Sequence, residues 1–107
     1  MIMPEFLNPF NTMVPDRKLN HRELTRVIRL NIAAELEAIH LYEAHADATD
    51  NALAKAVFQD IADEERVHAG EFQKLLTLLL DDEQKLLDEG AEEVEEMAEK
   101  IAPSLLK

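Results

Sequence analysis

The sequence Ile61-Ala62-Asp63-Glu64-Glu65-Arg66-Val67-His68 places two ionisable residues on the apolar stripe of a long predicted helix. The stripe recurs at helical spacing and consists of Phe58, Ile61, Glu65, His68, Phe72, Leu75 and Leu79. A carboxylate among apolar side chains loses hydration, and it persists there only where a partner, a proton or a metal compensates for the loss. Glu65 and His68 stand one helical turn apart, so both side chains can bind one ion from the same face of the helix.

A second stripe of the same kind lies earlier in the chain and consists of Ile28, Ile32, Glu35, Ile39, Tyr42 and Ala46. Here Glu35 is the carboxylate on the apolar face. The intervening residues 47–51 offer turn and capping side chains, so we expect the two helices to form an antiparallel hairpin. Glu35 and Glu65 lie fifteen residues on either side of Asp50 and therefore reach about the same height in that hairpin.

The sequence predicts an all-α protein with a single domain. Its predicted parts are an extended N-terminal arm over residues 1–19, helices over 20–47 and 50–80, and an acidic C-terminal helix over 82–101. Three prolines interrupt the arm, whereas Asn20 and Glu23 have the spacing of a capping box at the start of the first helix. The last helix carries an apolar stripe and is expected to be broken or hinged near Gly90. Its acidic run is more typical of a solvated face than of a second metal site.

The composition excludes several classes of partner and site. Eleven basic residues against 23 acidic ones give a formal charge of -12, which repels phosphate backbones and anionic lipid, so we expect no nucleic-acid and no membrane partner. No cysteine is present, which excludes disulfides and thiolate metal sites within this chain. The N-terminus lacks an apolar signal core, and no apolar run approaches the roughly 20 residues of a membrane helix. These features favour a cytoplasmic location.

The candidate ligands form half of a larger pattern. Carboxylate-bridged di-iron bundles use one Glu from each of two helices and a Glu-x-x-His motif from each of the other two. This chain supplies one of each, so a two-fold dimer would place four Glu and two His side chains inside a four-helix bundle. Such an oxygen-rich set suits iron or manganese better than structural zinc. The alternative is a hydrogen-bonded polar seam that fixes the register of the helices.

Two runs of sequence resemble the encapsulated ferritins, which are ferritin-like proteins housed in encapsulin shells. The runs are Ala34-Glu35-Leu36-Glu37-Ala38-Ile39, followed by Tyr42, and Asp63-Glu64-Glu65-Arg66-Val67-His68, within about residues 20–80. The resemblance implies a two-helix chain with a short extra helix, whose dimers build a di-iron ferroxidase centre and often assemble into rings. It also implies that Glu35, Glu65 and His68 bind the metal. A rubrerythrin-like relative would fit the motif as well, but that family usually has four helices in one chain and commonly adds a cysteine-bearing domain.

Further residues are candidates for supporting roles. By the resemblance, Glu37 matches an accessory acidic residue of the family, and Tyr42 matches a residue behind the metal ligands. Glu37-Ala38-Ile39-His40 is a second Glu-x-x-His sequence, expected to line an access path or another subunit interface, with a primary metal site as the weaker alternative. Tyr42 either hydrogen-bonds a metal ligand or is an ordinary aromatic residue of the seam. Glu64, beside Glu65, belongs to the same supporting group.

These features together favour a ferroxidase that oxidises Fe(II) to Fe(III) at a di-iron centre shared between two subunits, for iron storage or detoxification. A di-iron peroxidase of the rubrerythrin type and a non-catalytic helical scaffold or cargo protein are the alternatives. The expected partners are a second copy at minimum and a higher ring-like oligomer, and the resemblance adds an encapsulin shell. Residues 102–107 do not form a convincing shell-targeting peptide, so encapsulation stays open.

Overall fold

The computed structural model describes residues 17–107, and within that range the regular structure is entirely helical. Its elements are α1 at His21–Asp47, α2 at Ala52–Leu79, α3 at Glu83–Ile101 and a short 3-10 helix at Pro103–Leu106. The predicted all-α class is therefore confirmed. Most of the predicted N-terminal arm, residues 1–16, lies outside the described residues. No helix within the described range is long and apolar enough to cross a lipid bilayer.

The start of α1 is fixed by the predicted capping box. The Asn20 side chain accepts a hydrogen bond from the Glu23 backbone N–H at 2.9 Å, and the Glu23 carboxylate accepts one from the Asn20 N–H at 3.0 Å. Arg17 adds two hydrogen bonds to the same carboxylate, at 2.7 and 2.6 Å. The Arg17 hydrogen bond, followed by that of the Asn20 backbone, lowers the pKa of Glu23 to about 2. The helix begins at His21 because Asn20 is the cap.

The turn between α1 and α2 uses the polar side chains that the sequence offered. The Asn51 side chain accepts a hydrogen bond from the Ala54 N–H at 2.9 Å, while the Asn51 N–H donates to the Thr49 hydroxyl at 3.1 Å. Asn51 thus caps α2, which begins at Ala52 rather than at the predicted residue 50.

Contacts between the two helices establish their antiparallel arrangement. Near the turn, the Lys55 ammonium donates to the Ala46 carbonyl at 2.6 Å. Farther from the turn, Arg66 forms an ion pair with Glu43 at 2.6 Å. Later residues of α2 therefore meet earlier residues of α1, as the hairpin prediction requires.

The core is small in the described part of the chain. The fully buried apolar residues are Ile28, Ala46, Ala62 and Leu76. The exposed large apolar residues are Leu24, Leu36, Leu41, Leu53, Val57, Val67, Leu75, Leu78, Leu86, Leu87, Val94, Met97, Ile101, Leu105 and Leu106. Because more large apolar side chains are exposed than buried, much of the hydrophobic stabilisation available to this chain is unused in a single copy.

The described chain divides into two compact units, one ending at Leu76 and the other covering Thr77–Lys107. The second unit contains the end of α2, the whole of α3 and the 3-10 helix. The predicted break near Gly90 is wrong, because α3 runs without interruption from Glu83 to Ile101. A helical glycine costs about 1 kcal/mol relative to alanine, and the good helix formers on both sides of Gly90 offset a penalty of that size.

Candidate metal centre

Three of the predicted ligands converge between α1 and α2. Glu35 projects from α1, and Glu65 and His68 project from one face of α2, so that one donor atom of each lies within 4.8 Å of the others. The His68 Nδ1 atom is 3.5 Å from a Glu65 carboxylate oxygen and 3.9 Å from the Glu35 Oε2 atom. The equal distance of Glu35 and Glu65 from Asp50 accounts for this convergence in an antiparallel hairpin.

These separations suit a bound cation better than direct hydrogen bonds. Metal bonds to imidazole nitrogen and carboxylate oxygen are about 2.0 to 2.2 Å long, so two ligand atoms on one ion lie about 3 to 4 Å apart. A hydrogen bond between the same atoms is typically about 2.7 to 3.2 Å long. The observed 3.5 and 3.9 Å fall in the range of ligands that share an ion.

Burial adds an independent reason to place a cation here. The Glu35 and Glu65 side chains are 19% and 20% exposed, whereas that of His68 is 48% exposed. The Glu35 Oε2 atom is buried and has no hydrogen-bond partner. A buried carboxylate oxygen without a partner is costly, and a cation bound to it would remove that cost. Two carboxylates and one imidazole form a hard, oxygen-rich donor set of the kind that iron accepts.

The second Glu-x-x-His sequence does not join this cluster. Glu37 and His40 are exposed on α1, and Glu64 is exposed on α2. Around a helix, Glu37 and His40 lie about 200° and 140° away from Glu35, so they belong to another face. Glu37 borders a half-open surface pocket of about 450 Å³ that is also lined by Leu30, Ala33 and Ala34. The access role of Glu37, His40 and Glu64 stays a prediction.

Tyr42 lies one heptad after Glu35 and is half-buried. Its ring stacks against that of Phe58, with ring centroids 6.5 Å apart and planes inclined by 16°. The Phe58 ring also meets the edge of His45 at 5.5 Å. This aromatic contact joins α1 to α2 on the turn side of the metal cluster, while hydrogen bonding from Tyr42 to a ligand stays a prediction.

Sequence reasoning missed the ion pair of Arg66 with Glu43. Arg66 stands inside the Glu65-x-x-His68 motif, and its guanidinium reaches Glu43 on α1 at 2.6 Å and Asp63 on its own helix at 3.6 Å. The pair ties together the two helices that carry the ligands. The sequence offered a signal, because Arg66 follows the candidate ligand Glu65 on α2 and Glu43 lies about two helical turns after the candidate ligand Glu35 on α1.

The chain matches a family model in sequence and a solved structure in fold. The rubrerythrin family model matches the chain over two overlapping segments, residues 9–76 and 26–104. The crystal structure of the encapsulated ferritin domain from Pyrococcus furiosus matches with a TM-score of 0.75 and 37% sequence identity, covering 81% of this chain and 89% of that domain.

Two curated relatives are also similar in sequence. The encapsulin nanocompartment cargo protein EncC of Myxococcus xanthus is 57% identical over 77 residues, which is 72% of this chain and 58% of that protein. The ferritin-like-encapsulin shell fusion protein of Pyrococcus furiosus is 43% identical over 83 residues, which is 77% of this chain and 24% of the fusion. The chain thus spans less than two thirds of the length of either relative.

Proposed function

Since the chain belongs to the rubrerythrin family, and within it resembles the encapsulated ferritins, we propose that it oxidises Fe(II) to Fe(III) at a di-iron centre shared between two copies. The observation that carries this proposal is the convergence of Glu35, Glu65 and His68, with a buried oxygen of Glu35 left without a hydrogen-bond partner. Iron storage or detoxification is the role that this activity would serve.

The number of ligands in one chain leads to a shared centre. One copy offers two carboxylates and one imidazole, which is too few for two iron ions with bridging carboxylates. A second copy related by a two-fold axis doubles the set to four carboxylates and two imidazoles. The half-exposed His68 leaves the cluster open on one side, where a second copy can approach. Leu75, an exposed apolar residue on the same side of α2 as His68, supplies surface for that contact.

The chemistry needs little from the protein beyond charge and position. Each Fe(II) gives up one electron, and two together reduce O2 with two protons to H2O2, or reduce H2O2 with two protons to two waters. With iron bound, Glu35 and Glu65 from both copies would offset the added positive charge on the product, and His68 would supply a nitrogen ligand that fixes its position. Replacing O2 with H2O2 in otherwise identical assays identifies the preferred oxidant.

An encapsulin shell is the partner that completes this proposal. The Myxococcus relative is named as an encapsulin cargo protein, and the Pyrococcus relative is named as a fusion to an encapsulin shell. We extend that association to this chain, so that Fe(III) formed at the shared centre is stored inside a shell. Co-expression with an encapsulin shell protein should yield shells that retain this chain through size exclusion, and shells without it would contradict the extension.

The activity is tested by following O2 consumption after Fe(II) is added to the purified protein. Glu35→Ala removes a carboxylate from the cluster and should slow oxidation at least about tenfold, since loss of one transition-state interaction worth 1.4 kcal/mol has that effect. Asp60→Ala removes an exposed carboxylate of α2 that lies outside the cluster and should leave the rate near that of the wild type. Equal rates for Glu35→Ala and the wild type would remove Glu35 from the centre.

A further inference from the structure

The charges of this chain are segregated along its length. Five of the eleven basic residues lie between residues 17 and 29, which contain one acidic residue. Ten of the 23 acidic residues lie between residues 81 and 101, which contain two basic residues. The first segment forms the start of α1, and the second contains α3. Two segments of opposite charge at defined helical positions attract each other across an interface.

The acidic residues of α3 border an apolar stripe. At about 100° per residue, Leu87, Val94 and Ile101 share one side of the helix. Their side chains are 43%, 63% and 83% exposed, so the stripe lies open in a single copy. An acidic row at helical spacing follows the edge of this stripe and consists of Asp88, Glu92, Glu95 and Glu99. We call the apolar stripe and this row together the acidic face of α3.

A basic row on α1 has the matching form. Arg22, Arg26 and Arg29 are exposed and stand at positions i, i+4 and i+7, which places them on one side of the helix. The same side continues into Leu36, which is 55% exposed. We call these four residues the basic face of α1. Arg22 and Arg26 lie about 140° and 180° around the helix from Glu35, so this face points away from the metal cluster.

We infer that the acidic face of α3 in one copy binds the basic face of α1 in a second copy. The contact pairs carboxylates with guanidinium groups along both helices and covers the apolar stripe that a single copy leaves exposed. Two acidic faces cannot pair with each other, because like charges would then stand opposite along the whole row. Since the basic face points away from Glu35, this contact is separate from the shared metal centre and can join one dimer to the next.

Charge reversal on each face tests the contact. Arg22→Glu/Arg26→Glu makes the α1 face acidic, and Asp88→Lys/Glu92→Lys/Glu95→Lys makes the α3 face basic. Wild-type protein should sediment as a species larger than a dimer that dissociates as salt is raised, because exposed ion pairs are screened. Each reversed variant should stop at the dimer. The control Glu89→Lys/Glu93→Lys reverses acidic residues that lie away from the apolar stripe and at least about 60° around α3 from every residue of the acidic row, and it should assemble like the wild type.

Mixing the two reversed variants separates a contact between copies from one within a chain. The acidic α1 of the first variant then meets the basic α3 of the second, and the unchanged faces meet as in the wild type. The mixture should therefore recover the large species, which also excludes misfolding as the cause of the loss. A wild-type protein no larger than a dimer, loss of assembly in the control, or a mixture that stays dimeric would each overturn the inference. Iron bound per dimer is read separately and reports on the proposed function alone.

Discussion

At the scale of single residues, the candidate centre has a cost that its proposed function explains. Glu35 holds one carboxylate oxygen in a buried position where no hydrogen bond reaches it. A folded chain retains such a group at the expense of stability, and functional sites are the usual place for it. We therefore expect Glu35 to favour metal binding and, at the same time, to lower the stability of the metal-free protein.

Glu35→Leu should make this trade-off between metal binding and stability measurable. Without metal, the variant should gain about 1 kcal/mol or more in free energy of unfolding, because the buried unpaired oxygen is gone and the apolar stripe is continuous. Fe(II) added without oxygen should stabilise the wild type and leave Glu35→Leu unchanged. Denaturant unfolding with and without Fe(II) measures both effects. A variant less stable than the wild type without metal would show that Glu35 is satisfied in the assembled protein.

The two Glu-x-x-His sequences of α1 and α2 allow a matched comparison. His68→Ala should weaken Fe(II) binding by about tenfold to 100-fold or more. Loss of a residue that supports a metal ligand has an effect of that size, and loss of the ligand itself should cost no less. His40→Ala removes the same side chain from an exposed position outside the cluster. Its Fe(II) affinity should equal that of the wild type. Equal losses in both variants, measured by anaerobic titration, would contradict the choice of His68 over His40.

Residue types and their spacing were sufficient to predict the cluster, because a charged residue on an apolar stripe is rare without a partner. The same reasoning missed Arg66 and Glu43, which lie at the edge of the stripes, where charged residues are ordinary. Only the relative rotation of α1 and α2 brings those two side chains together. That rotation depends on the packing of many side chains, and no single spacing in the sequence encodes it.

At the scale of elements, local signals fixed where the helices begin. Asn20 and Asn51 each accept a hydrogen bond from the backbone three residues on, so both starts follow from side-chain chemistry. The continuity of α3 through Gly90 depends instead on a balance of small propensities, in which the surrounding residues outweigh one glycine. That balance is why the predicted break was wrong although the predicted helix was correct.

The ion pair of Arg17 with Glu23 at the start of α1 should make part of the free energy of unfolding depend on pH in the acid range. The pKa of Glu23 is lowered to about 2 in the folded protein, below the roughly 4.3 of an unfolded chain. Its contribution is therefore complete above about pH 4.3 and is lost as the pH falls towards 2. As the pH falls through that interval, the difference in free energy of unfolding between the wild type and Glu23→Gln should shrink. Arg17→Met should reduce this dependence, and a difference that does not change with pH would contradict the role of the pair.

At the scale of the whole molecule, a single copy buries few apolar side chains within the described residues and leaves many leucines and valines exposed. The sequence predicted a dimer because one chain supplies half of a di-iron ligand set, but it did not show how many large apolar side chains a single copy leaves exposed. Each copy presents the open cluster of Glu35, Glu65 and His68 on one side of α1 and a basic face on another. Two different contacts, one through metal and one through charge, would use both sides and would build assemblies larger than a dimer.

Native mass spectrometry during an anaerobic Fe(II) titration determines whether two copies share one di-iron centre. The masses report the number of subunits and of iron ions in each species, before and after air is admitted. We predict one iron per chain, bound only by species with an even number of subunits and absent from Glu65→Ala. Iron bound by single chains, or no iron at any oligomer size, would contradict a shared centre.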